Sequence, residues 1–97
     1  MYSVFVLLEA RDSYSYTEPY VYIVESSNSE QKLIEKLEEC YKEYVTEIEN
    51  SYSDEDKQED WYKDMLKQIQ WDSDRKGFTD SSGYKTYTRY CIKQIDI

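Results

Sequence analysis

The sequence has no histidine. That removes the usual general base at neutral pH, the commonest metal ligand and every triad built on an imidazole. Only two glycines and one proline occur in 97 residues. No glycine-rich loop is left to cradle a phosphate, and no long flexible linker is expected. Two cysteines, Cys40 and Cys91, are too few for a zinc cluster. They read as buried free thiols in a reducing compartment, because free cysteine behaves as a small apolar residue. A disulfide needs a specific Cα separation, which spacing leaves open. Long hydrophobic runs are missing too. Val4 to Leu8 is too short for a signal core or a membrane span, and Met1 to Ser3 supplies no basic flank. A cytoplasmic protein with no membrane contact is expected.

What the chain does have is tyrosine and negative charge. Twelve of its 16 aromatic residues are Tyr, which can fill a core or present rings at a surface. The net charge of −9 argues against any direct hold on nucleic acid or an anionic membrane. Residues 25–60 contain 13 acids against four lysines, so this stretch accounts for the whole surplus. Residues 61–97 hold five acids and seven bases.

A chain of this length suits one domain, residues 1–97, with one core. Tyr2 to Glu9 is apolar at both parities, which predicts a central strand with both faces at least partly covered. Asp12, Ser13, Ser15 and Pro19 mark a loop. Tyr20 to Glu25 predicts a second strand, antiparallel to the first. Ser27 with Glu30 fits a capping box for a helix running to about Asn50. Its apolar stripe is Leu33, Leu37, Cys40, Tyr41, Tyr44 and Ile48. Ser53 predicts a second helix start, with Asp54, Glu55 and Asp56 in its first turn and an end near Trp71. Residues 72–83 read as turns, with a short strand near Lys76 to Thr79. Tyr84 to Ile97 predicts the last main strand, with a bulge or cover on both faces where its parity shifts. The compact solution is an α+β fold: an antiparallel sheet of three to four strands in ββααβ order, with two helices packed on one face.

No catalytic constellation emerges, and no cofactor or metal site is expected. Asp72 to Gly77 begins like a calcium loop, but Lys76 and Gly83 stand where ligands are required, so a polar turn is expected. Two surfaces remain. One is the acidic stretch, either a solvated helix face or a set of carboxylates offering Arg and Lys of a partner phosphate-like targets. The other is the tyrosine group at 14, 16, 20 and 22. Alternation places Tyr20 and Tyr22 on one strand face with Val24, while Tyr14 and Tyr16 are the better contact candidates.

Tyr20 to Ser29 (YVYIVESSNS), followed by an acid-rich amphipathic helix, resembles the middle of small anti-CRISPR proteins of prophages that inhibit a CRISPR effector nuclease. The segment Glu59-Asp60-Trp61-Tyr62-Lys63-Asp64-Met65 is similar to that family's acid-acid-aromatic-Tyr-x-Asp-Met stretch. Residues 20–66 carry the likeness. It implies that the acids matching by position, Asp54, Glu55 and Asp56 with Glu59 and Asp60 nearby, imitate DNA and block a basic DNA-reading site in a bacterial host cell. The chain departs from the family by starting with a strand and by adding about 30 residues at the end. Its start and its Tyr84–Ile97 ending resemble small strand-strand-helix-strand proteins of phages and mobile elements.

The expected function is a non-enzymatic acidic inhibitor that occupies a nucleic-acid-binding groove of a basic host defence protein. The partner-binding residues would be Asp54, Glu55, Asp56, Glu59, Asp60, Glu47, Glu49, Tyr14 and Tyr16. The alternative is a structural or regulatory module that assembles with itself, as a homodimer, or with a partner strand through its sheet edge and tyrosines.

Overall fold

A computed structural model describes residues 3–13, 20–82 and 86–96. It is an α+β fold with five strands, one or two more than the sequence predicts. Along the chain these are β1 (Ser3–Ser13), β2 (Tyr20–Ser27), α1 (Glu30–Asn50), one turn of 3-10 helix (Asp56–Gln58), α2 (Asp60–Lys67), β3 (Ile69–Trp71), β4 (Gly77–Asp80) and β5 (Thr86–Asp96). The strands form one antiparallel sheet in the order β2-β1-β5-β4-β3. The order ββααβ is thereby corrected to ββααβββ.

The expected β1–β2 hairpin forms, and β1 is central, flanked by β2 and β5. Its pairing with β5 runs without interruption from Ser3 opposite Asp96 to Ser13 opposite Thr86. The register shift lies instead between β1 and β2: Leu7 faces Glu25 while Leu8 faces Ile23. Val24 is the extra residue, so the bulge expected in the last strand is in the outer one. The apolar parity of β5 needs no bulge, because its residues simply alternate between two different environments.

One of these environments is the core. Leu7 opposes Ile92, and Phe78 opposes Tyr90, on the same face of the sheet. Leu33 and Leu37 of α1 pack there with Leu7, Ile69, Phe78 and Ile92. Leu66 of α2 packs against the same cluster. The neighbouring residues in each strand point the other way. Val6 and Cys91 are buried there among strand neighbours, but Val21, Ile23 and Ile95 lie open, at 61%, 61% and 46% exposure. Both faces of β1 are at least partly covered, as its double parity predicts, with Leu7 buried on one and Val6 on the other, but that cover does not extend across the outer side of β2 and β5. Cys91 faces this open side, while Cys40 of α1 packs against the core side. Both thiols are free. Burial pushes the Cys40 thiol up.

Local signals explain the shifted boundaries. Ser27 is drawn into β2 by pairing with Phe5, so Ser29 becomes the cap of α1, its Oγ accepting from the Lys32 N–H at 3.4 Å. Ser27 supports that turn by accepting from the Ser29 N–H at 3.0 Å. Ser53 starts no α-helix: its Oγ accepts from the Asp56 N–H at 3.2 Å, in the turn that leads into the 3-10 helix, whose cap position is Glu55. The second helix starts only at Asp60 and stops at Lys67, because Ile69 to Trp71 pair with Phe78 to Asp80.

The turn from Asp72 to Gly77 is closed by a charge pair. Arg89 donates from both terminal nitrogens to Asp72, at 3.0 and 2.7 Å, which holds that carboxyl below the usual carboxylate range. Arg75, at φ 63°, lays its guanidinium over the Trp71 ring at 4.1 Å. Gly77 fits because it has no side chain: a Cβ there would meet the Asp72 carboxylate and the Tyr90 carbonyl, both at 2.8 Å. Since the carbonyl belongs to the sheet, Gly77→Ala should cost about 1–3 kcal/mol. Urea unfolding of the variant checks this, and an unchanged midpoint would refute the crowding.

Candidate interaction surface

The acidic stretch follows directly from how α1 is built. Its sheet-facing stripe spends the apolar residues, so Glu35, Glu38, Glu39, Glu43, Glu47 and Glu49 are exposed. Lys32 and Lys42 are interleaved among them and also exposed. At the end of α1, Ser51 closes the helix by donating from its N–H and Oγ to the Glu47 carbonyl. The chain then crosses to α2 through residues 51–59, and five acids fall within residues 54–60. Asp54, Glu55, Glu59 and Asp60 are exposed and Asp56 is half-buried.

An aromatic cluster holds this crossing against the helices. Tyr52 packs edge-on to Trp61 and Tyr62, with ring centroids 5.6 Å apart in both pairs. Tyr62 is buried and Trp61 is half-exposed. Burial pushes the Tyr62 phenol up, and the nearby Glu49 carboxylate adds to it. Glu49 is thus close enough to Tyr62 of α2 for its charge to act on that phenol.

Glu47 points elsewhere on α1. Two helical residues are about 200° apart around the axis, so Glu47 and Glu49 leave α1 in opposite directions. Glu47 instead rims a cleft of about 460 Å³ with Arg11, Tyr44, Tyr52, Asp80 and Ser82. The sequence marked none of these other five as site residues; Tyr44 read as part of the apolar stripe of α1. The signal for Asp80 was weak, since it lay in what read as a turn. In the structure it is buried and accepts hydrogen bonds from the Tyr44 hydroxyl and from the N–H and Oγ of Ser82. A second buried carboxylate, Glu9, accepts from Arg11 at 3.0 Å and from the Tyr90 hydroxyl. Both carboxylates are thus engaged in holding tyrosines. Tyr14 and Tyr16 lie outside the described residues.

The charge of this side is largely uncompensated. Of the 13 acids in residues 25–60, Glu30 pairs with Lys76 at 3.2 Å and Glu39 with Lys36 at 3.6 Å. Among the described residues the other 11 have no cation within 4.0 Å. Among the described residues of the basic final third, only Lys76 pairs with an acid of this stretch. Arg89 is engaged by Asp72 and Lys67 by Asp64. No group of three or more acids and cysteines among the described residues is placed to hold a metal ion. No described helix is long and apolar enough to cross a membrane. Comparisons with protein-family models, with curated proteins and with solved structures returned no match.

Proposed function

We propose that this protein is a non-catalytic inhibitor that binds a basic, nucleic-acid-binding host defence protein, such as a CRISPR effector, and occupies its nucleic-acid groove. The observation that supports the reading is the run from Asp54 to Asp60. It places five carboxylates, none with a cation within 4.0 Å among the described residues, on a crossing anchored by three packed aromatic rings. Anchored carboxylates cost a partner less ordering entropy than mobile ones would. They offer arginine forks the same bidentate geometry as phosphate oxygens. Glu49 extends the run on α1. Glu47 rims the neighbouring cleft together with Tyr52.

The test is the variant Asp54→Lys, Glu55→Lys, Asp56→Lys, assayed for inhibition of DNA cleavage by a guide-loaded CRISPR effector. Loss of desolvated charge pairs should weaken inhibition on the order of a hundredfold or more, while circular dichroism stays native. Wild-type binding should also weaken as salt rises. Inhibition that survives the triple substitution, or a wild-type protein that does not bind the effector at low salt, would discard the proposal.

A further inference from the structure

β2 is an outer strand of the sheet, and its only strand neighbour among the described residues is β1. Its residues Val21 to Val24 are all exposed, at 61%, 47%, 61% and 37%. Among its described side chains, none belongs to the hydrophobic core cluster or packs against it. Soluble proteins blunt such edges with charge, proline or brevity. This one runs eight residues and has no charge from Tyr20 to Val24. The bulge at Val24 leaves Tyr20 to Ile23 in regular register with Arg11 to Leu8.

We infer that β2 is the self-association edge of this protein: two copies pair their β2 strands antiparallel about a twofold axis, joining two five-stranded sheets into one of ten strands. The occupant is a second copy for two reasons. An antiparallel pairing of one strand with itself is self-complementary under twofold symmetry, the commonest arrangement of homodimers. Charge then selects where two copies can meet. Each chain carries −9, concentrated in residues 25–60, and repels its like across those surfaces. Tyr20 to Val24 is a neutral apolar strip lying outside that stretch. β3, at the opposite edge, is only three residues long and has α2 directly before it. Paired β2 strands would place Val21 and Ile23 of both copies side by side, removing their apolar surface from water.

This assembly is independent of the acidic surface, and salt separates the two. Salt screens the repulsion between like-charged copies and strengthens the dimer, whereas it weakens a complex with a basic partner. Sedimentation equilibrium should show a mass rising with concentration toward twice 11.8 kDa, more readily at high salt. Val21→Lys with Ile23→Lys should hold the protein at monomer mass with a native fold, because both side chains are exposed. Ile95→Lys, on the open face of β5 away from the edge, should still dimerise. A wild-type chain monomeric at all concentrations and salts overturns the inference. So does a dimer lost in Ile95→Lys, which would mean face-to-face packing, or one retained in the double lysine variant.

Discussion

Phe78→Ala should remove most of the stability of this domain. Phe78 is fully buried, and four rings surround it, with centroids at 4.9 Å for Tyr90, 5.3 Å for Tyr41, 5.4 Å for Trp71 and 6.0 Å for Tyr44. Those rings belong to α1, β3 and β5, so three elements lose a common contact at once. Their own hydroxyls and the Trp71–Arg75 stacking restrict how far they can collapse into the space. A phenylalanine truncation of this kind costs about 3–5 kcal/mol. Small domains have only about 5–15 kcal/mol in total. At about 4–8 °C per kcal/mol, the melting temperature should fall by roughly 20 °C. Thermal and urea unfolding measure it, and a loss under about 1 kcal/mol would mean that Phe78 is not the centre of the core.

Stability should also fall steeply in alkali. Burial, and then the hydrogen bond it donates to Asp80, push the Tyr44 phenol up to about 12. Tyr90 is raised in the same way, by burial and then by its bond to Glu9. An unfolded phenol titrates near 10. Below that value both states keep the proton, and the contribution is fully present. Above it the unfolded chain releases its protons first, so stability is lost as pH climbs through about 12 for Tyr44. The ceiling on this slope is about 1.4 kcal/mol per pH unit for each phenol, reduced here because both rings keep some access to water. Urea midpoints at pH 9 and pH 11 should differ by more in the wild type than in the Tyr44→Phe, Tyr90→Phe double variant. Equal differences in the two proteins would show that the paired carboxylates do not hold these protons.

How much of this was legible beforehand depends on whether a signal was local. The helix ending at Asn50 could be read because its stripe and its closing polar residues lie within the segment itself. The β1–β2 hairpin was legible for the same reason. β3 was not: Met65, Leu66 and Ile69 keep helical spacing, and only pairing with Phe78 to Asp80 turns the chain into a strand. Ser27 and Ser29 offer the same capping chemistry, and the choice between them was made by Phe5, 22 residues before Ser27. Glu9 read as the end of an apolar run. Its parity with Leu7 on β1 would have placed it facing inward, had Tyr90 been recognised as its cross-strand partner. The acidic run from Asp54 to Asp60 was visible as composition, but its anchoring needed the packing of Tyr52 on Trp61. The divergence of Glu47 from Glu49 was present in the helical rotation all along.

The uninterrupted pairing of β1 with β5 has a consequence for how the molecule is made. β1 and β5, neighbours inside the sheet, come from opposite ends of the described chain, so the rungs of that ladder span up to 93 residues. Closing such distant contacts is slow, because loop entropy is spent long before the sheet returns it. During synthesis the bare hairpin of β1 and β2, with its apolar edge, must wait until β5 has been made. A chaperone-poor expression host should therefore yield aggregates of nascent chains even when the finished protein is stable.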